Sequence, residues 1–186
     1  MKIKIGLDLS INSTGMCLRL ENGDENNVLH YYLIVPKITK KMDHINRDKT
    51  SLISFINYDK IASNDSHNIM VISKKICEII KDFESQYNDA EIDITIEDVA
   101  MGAKGRSLIT LTLLNGYVRC MLDNNNWNYK TITPTEWKKK LLGNGQANKE
   151  LTIYHWGKMD MKSCVKMMDN KVKCDDAADS YFLSWV

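Results

Sequence analysis

The feature that most constrains the fold is a series of three strand patterns at the start of the chain. Residues 2–9, 16–21 and 28–35 carry the alternating or largely apolar pattern of β-strands, and turn-forming residues fill 10–15 and 21–27. Short turns can join antiparallel strands, whereas parallel strands need a long crossover connection. The first part of the chain therefore predicts an antiparallel meander of three strands.

Helix and strand patterns alternate in the rest of the chain. Apolar residues at helical spacing predict helices over 67–87 and 106–123, and apolar runs predict a fourth strand over 92–97 and a fifth over 129–133. Strands joined through a crossover helix lie parallel. Three further helices are predicted over 134–142, 147–155 and 175–185. We therefore expect an α/β fold: a five-stranded mixed sheet, three antiparallel strands and then two parallel ones, flanked by helices.

One segment interrupts this pattern. Residues 37–66 are polar and mixed, and such a long connection is unusual in a compact domain unless it is functional. We interpret it as an insertion with at most a short strand or helix near 51–58. The 186 residues suit one domain with a substantial core rather than two. We therefore assign residues 1–186 to a single domain that carries this insertion.

Composition excludes several classes of protein. The chain has no apolar run long enough to span a membrane and begins in a strand pattern instead of a signal peptide, so we expect an intracellular protein without membrane contact. Five cysteines without C-x-x-C spacing argue against structural zinc and against a disulfide framework. The net charge of +1 hides ten lysines against four acidic residues between Lys130 and Lys173. That basic segment suits binding to a polyanion, although a solvated lysine-rich surface would have the same composition.

Four carboxylates stand at informative positions. Asp8 lies within an apolar strand pattern, where a charge is costly without a partner, and Glu97 ends the fourth strand. Asp176 and Asp179 are three residues apart, which places both on one face of a helix. Four such groups in one place would need divalent cations with oxygen ligands, Mg²⁺ or Mn²⁺, and two ions can together promote phosphodiester hydrolysis. Taken singly, each acid could equally be a turn cap or a solvated surface residue.

These residues lie in segments that resemble the motifs of the RuvC family of Holliday-junction resolvases, part of the RNase H-like superfamily. Residues 5–15, Ile-Gly-Leu-Asp-Leu-Ser-Ile-Asn-Ser-Thr-Gly, are similar to the first motif, a strand with an aspartate followed by a Thr-Gly turn. Residues 96–101, Ile-Glu-Asp-Val-Ala-Met, resemble the second motif, and 176–179, Asp-Ala-Ala-Asp, resemble the closing one. A polar loop at 104–107 and a glycine within 114–116 also fit the family pattern.

The resemblance implies an RNase H-like fold and a crossover junction endodeoxyribonuclease of DNA recombination and repair. Such an enzyme is a homodimer that binds a four-way DNA junction and resolves it by paired symmetric nicks, using divalent metal. The resemblance makes Asp8, Glu97, Asp176 and Asp179 the catalytic metal ligands, for two Mg²⁺ or Mn²⁺ ions per site. Asp175 is a rival for the place of Asp176, but the spacing D-A-A-D favours Asp176.

Basic residues of the family lie between the fifth strand and the last helix. The resemblance indicates Lys138 or Lys139 as DNA-binding residues, and Lys149 as a DNA-binding and catalytic residue that would neutralise charge at the scissile phosphate. Lys104 and Arg106, in the polar loop after the second motif, are further candidates for DNA binding. Each of these side chains could instead be a solvated surface residue.

Two departures from the family pattern stand out. Members often have an aromatic wedge two or three residues after the catalytic glutamate, whereas this chain has Val99, Ala100 and Met101, of which Met101 is the candidate apolar wedge. The insertion at 37–66 is also longer than we expect in bacterial members. The lysine- and asparagine-rich composition suggests a phage or other viral source, or an AT-rich genome.

Several alternatives stay open. The helix over 106–123 is the candidate dimer interface because it is apolar nearly all round, but burial within one subunit would produce the same pattern. A related RNase H-like nuclease could act on branched or flapped DNA or on RNA–DNA hybrids. A non-catalytic module that binds junctions, with acids that only hold ions, would carry the same motifs.

Overall fold

The chain is built around a six-stranded mixed sheet, seen in a computed structural model that describes residues 1–22, 25–87, 90–99 and 104–186. Across the sheet the strands follow the order β4-β3-β2-β1-β5-β6. In chain order they are β1 (Lys2–Asp8), β2 (Thr14–Asn22), β3 (Glu25–Val35), β4 (Ile53–Asn57), β5 (Glu91–Glu97) and β6 (Asn128–Ile132). β1, β2 and β3 form the predicted antiparallel meander, and β5 and β6 run parallel to β1.

The sixth strand comes from the segment predicted as a polar insertion. Within 37–66 the chain forms helix α1 (Lys40–Arg47) and then β4, which pairs in parallel with β3 at the edge of the sheet. Ile53 and Phe55 of β4 are buried, and Ile45 of α1 is buried beside them in the same apolar cluster. β4 lies where the sequence allowed at most a short strand or helix, near 51–58, but its five residues gave no sign that it would join the sheet.

Helices cover both faces of this sheet. Besides α1, they are α2 (Asp65–Gln86), α3 (Gly105–Asn124), α4 (Pro134–Leu142), α5 (Lys149–Met159), α6 (Met161–Asp169) and α7 (Asp175–Leu183). α2 and α3 pack on one face, and α4 to α7 contribute to the core on the other. α6 was not predicted, because a single residue, Asp160, ends α5 and caps α6. No helix in the part of the chain that the structure describes is long and apolar enough to cross a membrane.

α7 lies unusually close to the sheet. A Cβ atom added at Gly6 of β1 would lie 2.0 Å from the carbonyl oxygen of Ser180 and 2.5 Å from the amide nitrogen of Ser184. Both are backbone atoms of α7 and its C-terminal end, which cannot move aside as a flexible side chain would. Glycine is therefore required at position 6 for α7 to rest directly on β1.

We predict that Gly6→Ala destabilises the protein. The added methyl group must displace the α7 backbone, and overpacking of a core costs about 1–3 kcal/mol or more in the free energy of unfolding. Urea unfolding followed by circular dichroism measures this change. Ile5→Val, at the neighbouring buried position, is the control and should cost about 0.5–1.5 kcal/mol. An unfolding free energy for Gly6→Ala equal to that of the wild type would show that this close contact is not needed.

Candidate active site

Two carboxyl groups meet where β1 and β5 end side by side. Asp8 is the last residue of β1 and Glu97 the last of β5, directly after the parallel pair formed by Leu7 and Ile96. The side chains of Asp8 and Glu97 lie close enough for each to affect the pKa of the other. The sequence pattern predicts a strand that continues past Asp8, but the strand stops there, so both acids lie at the same edge of the sheet.

Helix α7 brings Asp176 and Asp179 to the same edge. Its first turn passes over β2 at Gly15, where an added Cβ would lie 2.2 Å from the carbonyl oxygen of Asp176. Gly15 is the register partner of Asp8, so the helix begins directly above the end of β1. The side chain of Asp176 is hydrogen bonded to Ser13, in the turn between β1 and β2. The four acids expected from the sequence are thus brought together.

Burial and mutual repulsion dominate the electrostatics of this cluster. Burial raises the pKa of Asp8 well above its ordinary value, and the negative charges of Glu97, Asp179 and Asp176 raise it further. Burial, and then the charge of Glu97, raises the pKa of Asp179 to about 7. Carboxyl groups at such a site favour the charged form only when positive charge lies close to them. The arrangement is therefore one that attracts cations.

Glu97 is held both through its backbone and through its side chain. The side-chain amide of Asn115 on α3 donates to the Glu97 carbonyl oxygen at 3.1 Å. The indole nitrogen Nε1 of Trp137 on α4 donates to Glu97 Oε1 at 2.7 Å. Burial raises the pKa of Glu97, and the hydrogen bond from Trp137 and the positive charge of Lys138 oppose that rise. The orientation of this carboxylate is therefore set by neighbouring helices as well as by β5.

Asp175 and Asp176 differ in the cations around them. The side chain of Asp175 is 4% exposed and accepts from Lys149 and, at 2.8 Å, from Lys173. Burial opposes ionisation of Asp175, but these two hydrogen bonds outweigh it and lower its pKa. Burial instead raises the pKa of Asp176, which forms no salt bridge among the described side chains. Asp175 already has its counterions, which leaves Asp176 as the carboxylate available to another cation.

The basic residues expected from the sequence divide into two groups. Lys138 is half-buried, and its charge lowers the pKa of both Glu97 and Asp179, so it lies beside the acids. Lys149 pairs with Asp175 at the border of the cluster, with 67% of its side chain exposed. The other group is exposed and away from these contacts.

In that second group, Lys139 lies on α4 and Lys104 directly precedes α3. Arg106 forms a 3.2 Å ion pair with Asp65 of α2 and borders a cleft of about 320 Å³. Ser10 and Asn12, in the turn after Asp8, also line this cleft. Of these three residues, only Arg106 is linked to the region of the acids, through the cleft that it shares with the turn after Asp8.

Sequence reasoning missed four polar contacts of this site. Trp137 was noted only as part of a lysine-rich segment. A large aromatic residue in the first turn of a helix that starts with Thr-Pro could have indicated a buried position. Ser13 and Asn115 carry no such signal, because their roles depend on which segment packs against them. Lys173 lies two residues before Asp175, and residues two apart do not share a face of a helix, so the sequence did not predict their contact. The candidate wedge, Met101, lies outside the described residues, as does Ala100.

The donor set fits a hard divalent cation. Carboxylate oxygens are the ligands that Mg²⁺ and Mn²⁺ prefer, and Mg²⁺ commonly keeps several waters while binding only one or two carboxylates. Across the described ranges, no three His, Cys, Asp or Glu side chains are arranged to hold one ion together. The residues present therefore fit ions that two carboxylates at a time would share with water and with a substrate phosphate.

We predict that removing both counterions of Asp175 destabilises the protein. In Lys149→Ala/Lys173→Ala the buried carboxylate has no cationic partner, and breaking a buried ion pair on one side costs about 3–5 kcal/mol, with less expected here because the lysines are exposed. Either single variant should be milder, since one lysine remains. Urea unfolding at neutral pH measures the loss.

The pH dependence of this loss follows from the lowered pKa of Asp175. A depressed folded-state pKa stabilises the protein above the ordinary aspartate value of about 4, and that stabilisation disappears as pH falls through the folded pKa. The difference between the double variant and the wild type should therefore shrink in acid. Arg47→Ala is the control, because its pair with Asp43 is exposed and contributes about 0–1 kcal/mol. If the double variant and Arg47→Ala lost the same free energy of unfolding, independent of pH, the role given to the two lysines would be contradicted.

Comparisons with known proteins show which family this chain resembles in sequence and in fold. The family model described as crossover junction endodeoxyribonuclease RuvC matches residues 34–184, a range that includes Glu97, Asp176 and Asp179 and begins after Asp8. No curated protein matches the chain. The fold is similar to the structure of Thermus thermophilus RuvC, with a TM-score of 0.60 and 14% identity over 98% of this chain and 90% of that one.

A second solved structure, T. thermophilus RuvC in complex with a Holliday junction substrate, is equally similar. Its TM-score is 0.60 at 14% identity, and the match covers 99% of this chain and 91% of that one. At such low identity the two structures establish the fold, which is that of RuvC and other RNase H-like proteins. The family model establishes membership, since it spans well over half of the sequence. With its acids gathered at the ends of β1 and β5 and its sequence matched over 34–184, this chain belongs to the RuvC family.

Proposed function

We propose that this protein is a divalent-metal-dependent endonuclease that resolves four-way DNA junctions by paired symmetric nicks. The observation that carries the proposal is the convergence of Asp8, Glu97, Asp176 and Asp179 at one edge of the sheet, in a member of the RuvC family. A solved structure of the same fold is a RuvC bound to a Holliday junction, which supports branched DNA as the substrate class.

The four acids would hold Mg²⁺ or Mn²⁺, two ions per site. Ions bound there would supply an activated water and would stabilise the oxygen that leaves the phosphodiester. The protein contributes the partly buried surroundings of Asp8 and Glu97, which keep these carboxylates fixed. Asp176 is the better candidate than Asp175, because Lys149 and Lys173 already neutralise Asp175.

Two lysines are suited to the charge that develops on the scissile phosphate. Lys138 stands close enough to Glu97 and Asp179 to lower the pKa of both. Lys149 extends from the start of α5 to Asp175, and most of its side chain is open to a ligand. A phosphate held between the acids and these ammonium groups would gain electrostatic stabilisation where negative charge increases.

The remaining affinity for DNA would come from exposed basic residues along the site. The proposed DNA-binding residues are Lys104, Arg106, Lys138, Lys139 and Lys149. Phosphate contacts of this kind release counterions, so binding weakens steeply as salt increases. They read the path of the backbone instead of the base sequence, which suits recognition of a branched shape.

A homodimer is proposed from the exposed face of α3. One side of this helix is buried in the core through Leu114, Val118 and Leu122. The opposite side exposes apolar residues four positions apart: Ile109 (61% exposed), Leu113 (55%) and Tyr117 (41%). A two-fold pairing along this stripe would give two equivalent sites, as two symmetric nicks require.

We predict that Asp8→Asn abolishes cleavage but not junction binding. Even partners outside the ligand shell of a metal are worth about 10–100-fold in activity, so loss of a ligand should reduce cleavage by more than about 100-fold. The assay uses labelled four-way junctions with and without Mg²⁺ or Mn²⁺, scored for paired nicks, and a gel-shift measurement of binding in Ca²⁺. Asp59→Asn, an exposed acid of the insertion, is the matched control and should cleave normally.

Parallel assays on a Y-fork and an RNA–DNA hybrid separate the proposed activity from related ones. Preferential cutting of the fork or the hybrid would indicate the alternative RNase H-like nuclease. Junction binding by the wild type without any cleavage would indicate a non-catalytic module. Undiminished cleavage by Asp8→Asn would remove the basis of the site assignment.

We predict that Leu113→Asp converts the dimer to a monomer. A charge in the centre of an apolar interface is costly because it loses water without gaining a partner. Light scattering coupled to gel filtration measures the mass, and a junction on a cruciform plasmid reports whether the two nicks remain paired. Met168→Asp is the control, at a side chain of similar exposure (57%) on α6. A dimer that persists in Leu113→Asp, or dissociates in Met168→Asp, would place the interface elsewhere.

A further inference from the structure

We propose that Trp137 is a positioning residue: its indole N–H fixes the carboxylate of Glu97, and its ring packs against α7, the helix that carries Asp179. This inference rests on the proposed function, because it assigns Trp137 a role in the chemistry of that site. Nothing in the family motifs points to this residue, whose neighbour Lys138 is the position that the motif comparison selects.

The hydrogen bond between Trp137 and Glu97 is short and buried, and it can have only one direction. Trp137 is 0% exposed, and its Nε1 lies 2.7 Å from Glu97 Oε1. An indole nitrogen can only donate, so Glu97 must accept with this oxygen. One oxygen of Glu97 is thereby tied to the protein, while its remaining lone pairs stay available for another ligand.

The ends of β5 and β6 and the first turn of α4 set the orientation of this indole. Glu97 pairs with Ile132 at the end of β6, and the backbone amide of Asp98 donates to the Ile132 carbonyl at 2.8 Å. α4 begins two residues later, where the side chains of Thr133 and Glu136 cap each other's backbone amides. The first turn of α4 is therefore anchored beside the end of β5, and Trp137 faces back towards Glu97.

The ring of Trp137 makes a second connection. It stacks on Phe182 of α7 with a centroid distance of 5.9 Å and an interplanar angle of 16°. Phe182 lies three residues after Asp179, so both occupy neighbouring positions on one side of that helix. A single side chain thus spans Glu97 on the sheet and the helix that carries Asp179.

A side chain that only filled volume would not need the N–H group. Glu97 faces the negative charges of Asp8 and Asp179, and repulsion would turn a free carboxylate away from them. The hydrogen bond from Trp137 opposes that movement in the absence of any cation. It therefore preorganises the donor set, which is the condition for efficient use of a metal ligand.

Trp137→Phe isolates the N–H group, because phenylalanine keeps an aromatic ring against Phe182. The chain offers a matched control: Trp127 is also buried (6% exposed), and its Nε1 donates to the carboxylate of Glu84 at 3.2 Å, outside the candidate site. Trp127→Phe therefore removes the same kind of hydrogen bond.

We expect Trp137→Phe to lower kcat for junction cleavage by about 10–100-fold, the usual effect of losing a partner of a metal ligand. The KM and the junction affinity in Ca²⁺ should stay within about twofold, since the DNA surface is unchanged. The Mn²⁺ concentration that half-maximally raises the melting temperature should increase in Trp137→Phe and not in Trp127→Phe. Equal kcat values in the two variants, or equal Mn²⁺ midpoints, would overturn the proposal.

The outcome stays decisive if the wild type does not cut DNA or if Trp137→Phe does not fold. Absence of cleavage by the wild type would contradict the proposed function, while the Mn²⁺ midpoints would still test the role of Trp137. For the folded wild type, NMR can follow the four indole N–H signals, with that of Trp137 assigned by elimination through substitutions of the other tryptophans. Mg²⁺ should shift the Trp137 signal and leave that of Trp127 in place; an unshifted Trp137 signal would overturn the inference.

Discussion

The direct contact between α7 and the sheet is the constraint on which the site depends. Gly6 and Gly15 have no Cβ atoms, so the backbone of α7 lies where a side chain of β1 or β2 would otherwise be. That contact carries Asp176 and Asp179 to the ends of β1 and β5, where Asp8 and Glu97 already lie next to each other. Without it the acids would occupy separate surfaces, and each would be an ordinary polar residue. The geometry of the candidate site therefore depends on the close packing that Gly6 and Gly15 allow.

Electrostatics makes this packing costly in the absence of a ligand. Burial raises the pKa values of Asp8, Glu97 and Asp179, and the charges of neighbouring carboxylates raise those of Asp8 and Asp179 further. The fold therefore brings together groups that cannot easily all be ionised at once. The protein offsets this concentration of negative charge only in part. Lys149 and Lys173 neutralise Asp175, and Lys138 and the indole of Trp137 lower the pKa of Glu97. The remaining deficit of positive charge is what divalent ions would supply. The basic residues around the cluster suit a polyanionic substrate for the same reason.

Much of the architecture could be read from the sequence because it depends on local patterns. The meander of β1 to β3, the amphipathic helices α2 and α3, and the Thr-Pro start of α4 follow from periodicity and capping. A short strand or helix near 51–58 was expected, but not as a sixth strand of the sheet, because nothing local in the sequence indicates that β4 pairs with β3. α6 was missed because one residue both ends α5 and begins α6. The family fold was confirmed by comparison, whereas the roles of the individual site residues stay predictions.

The sequence by itself determined the identity and order of the acids, the D-x-x-D spacing on a helix and the parallel placement of the strands that end at Asp8 and Glu97. Each of these depends on residues near one another in the chain, where helical and strand periods apply. Tertiary structure alone decided which carboxylates have counterions, since Lys149 reaches Asp175 across 26 positions. It also decided that Trp137 donates to Glu97 across 40 positions and that Asn115 holds the Glu97 backbone across 18. Such contacts arise only when separate elements pack together, and no local period of the chain encodes them.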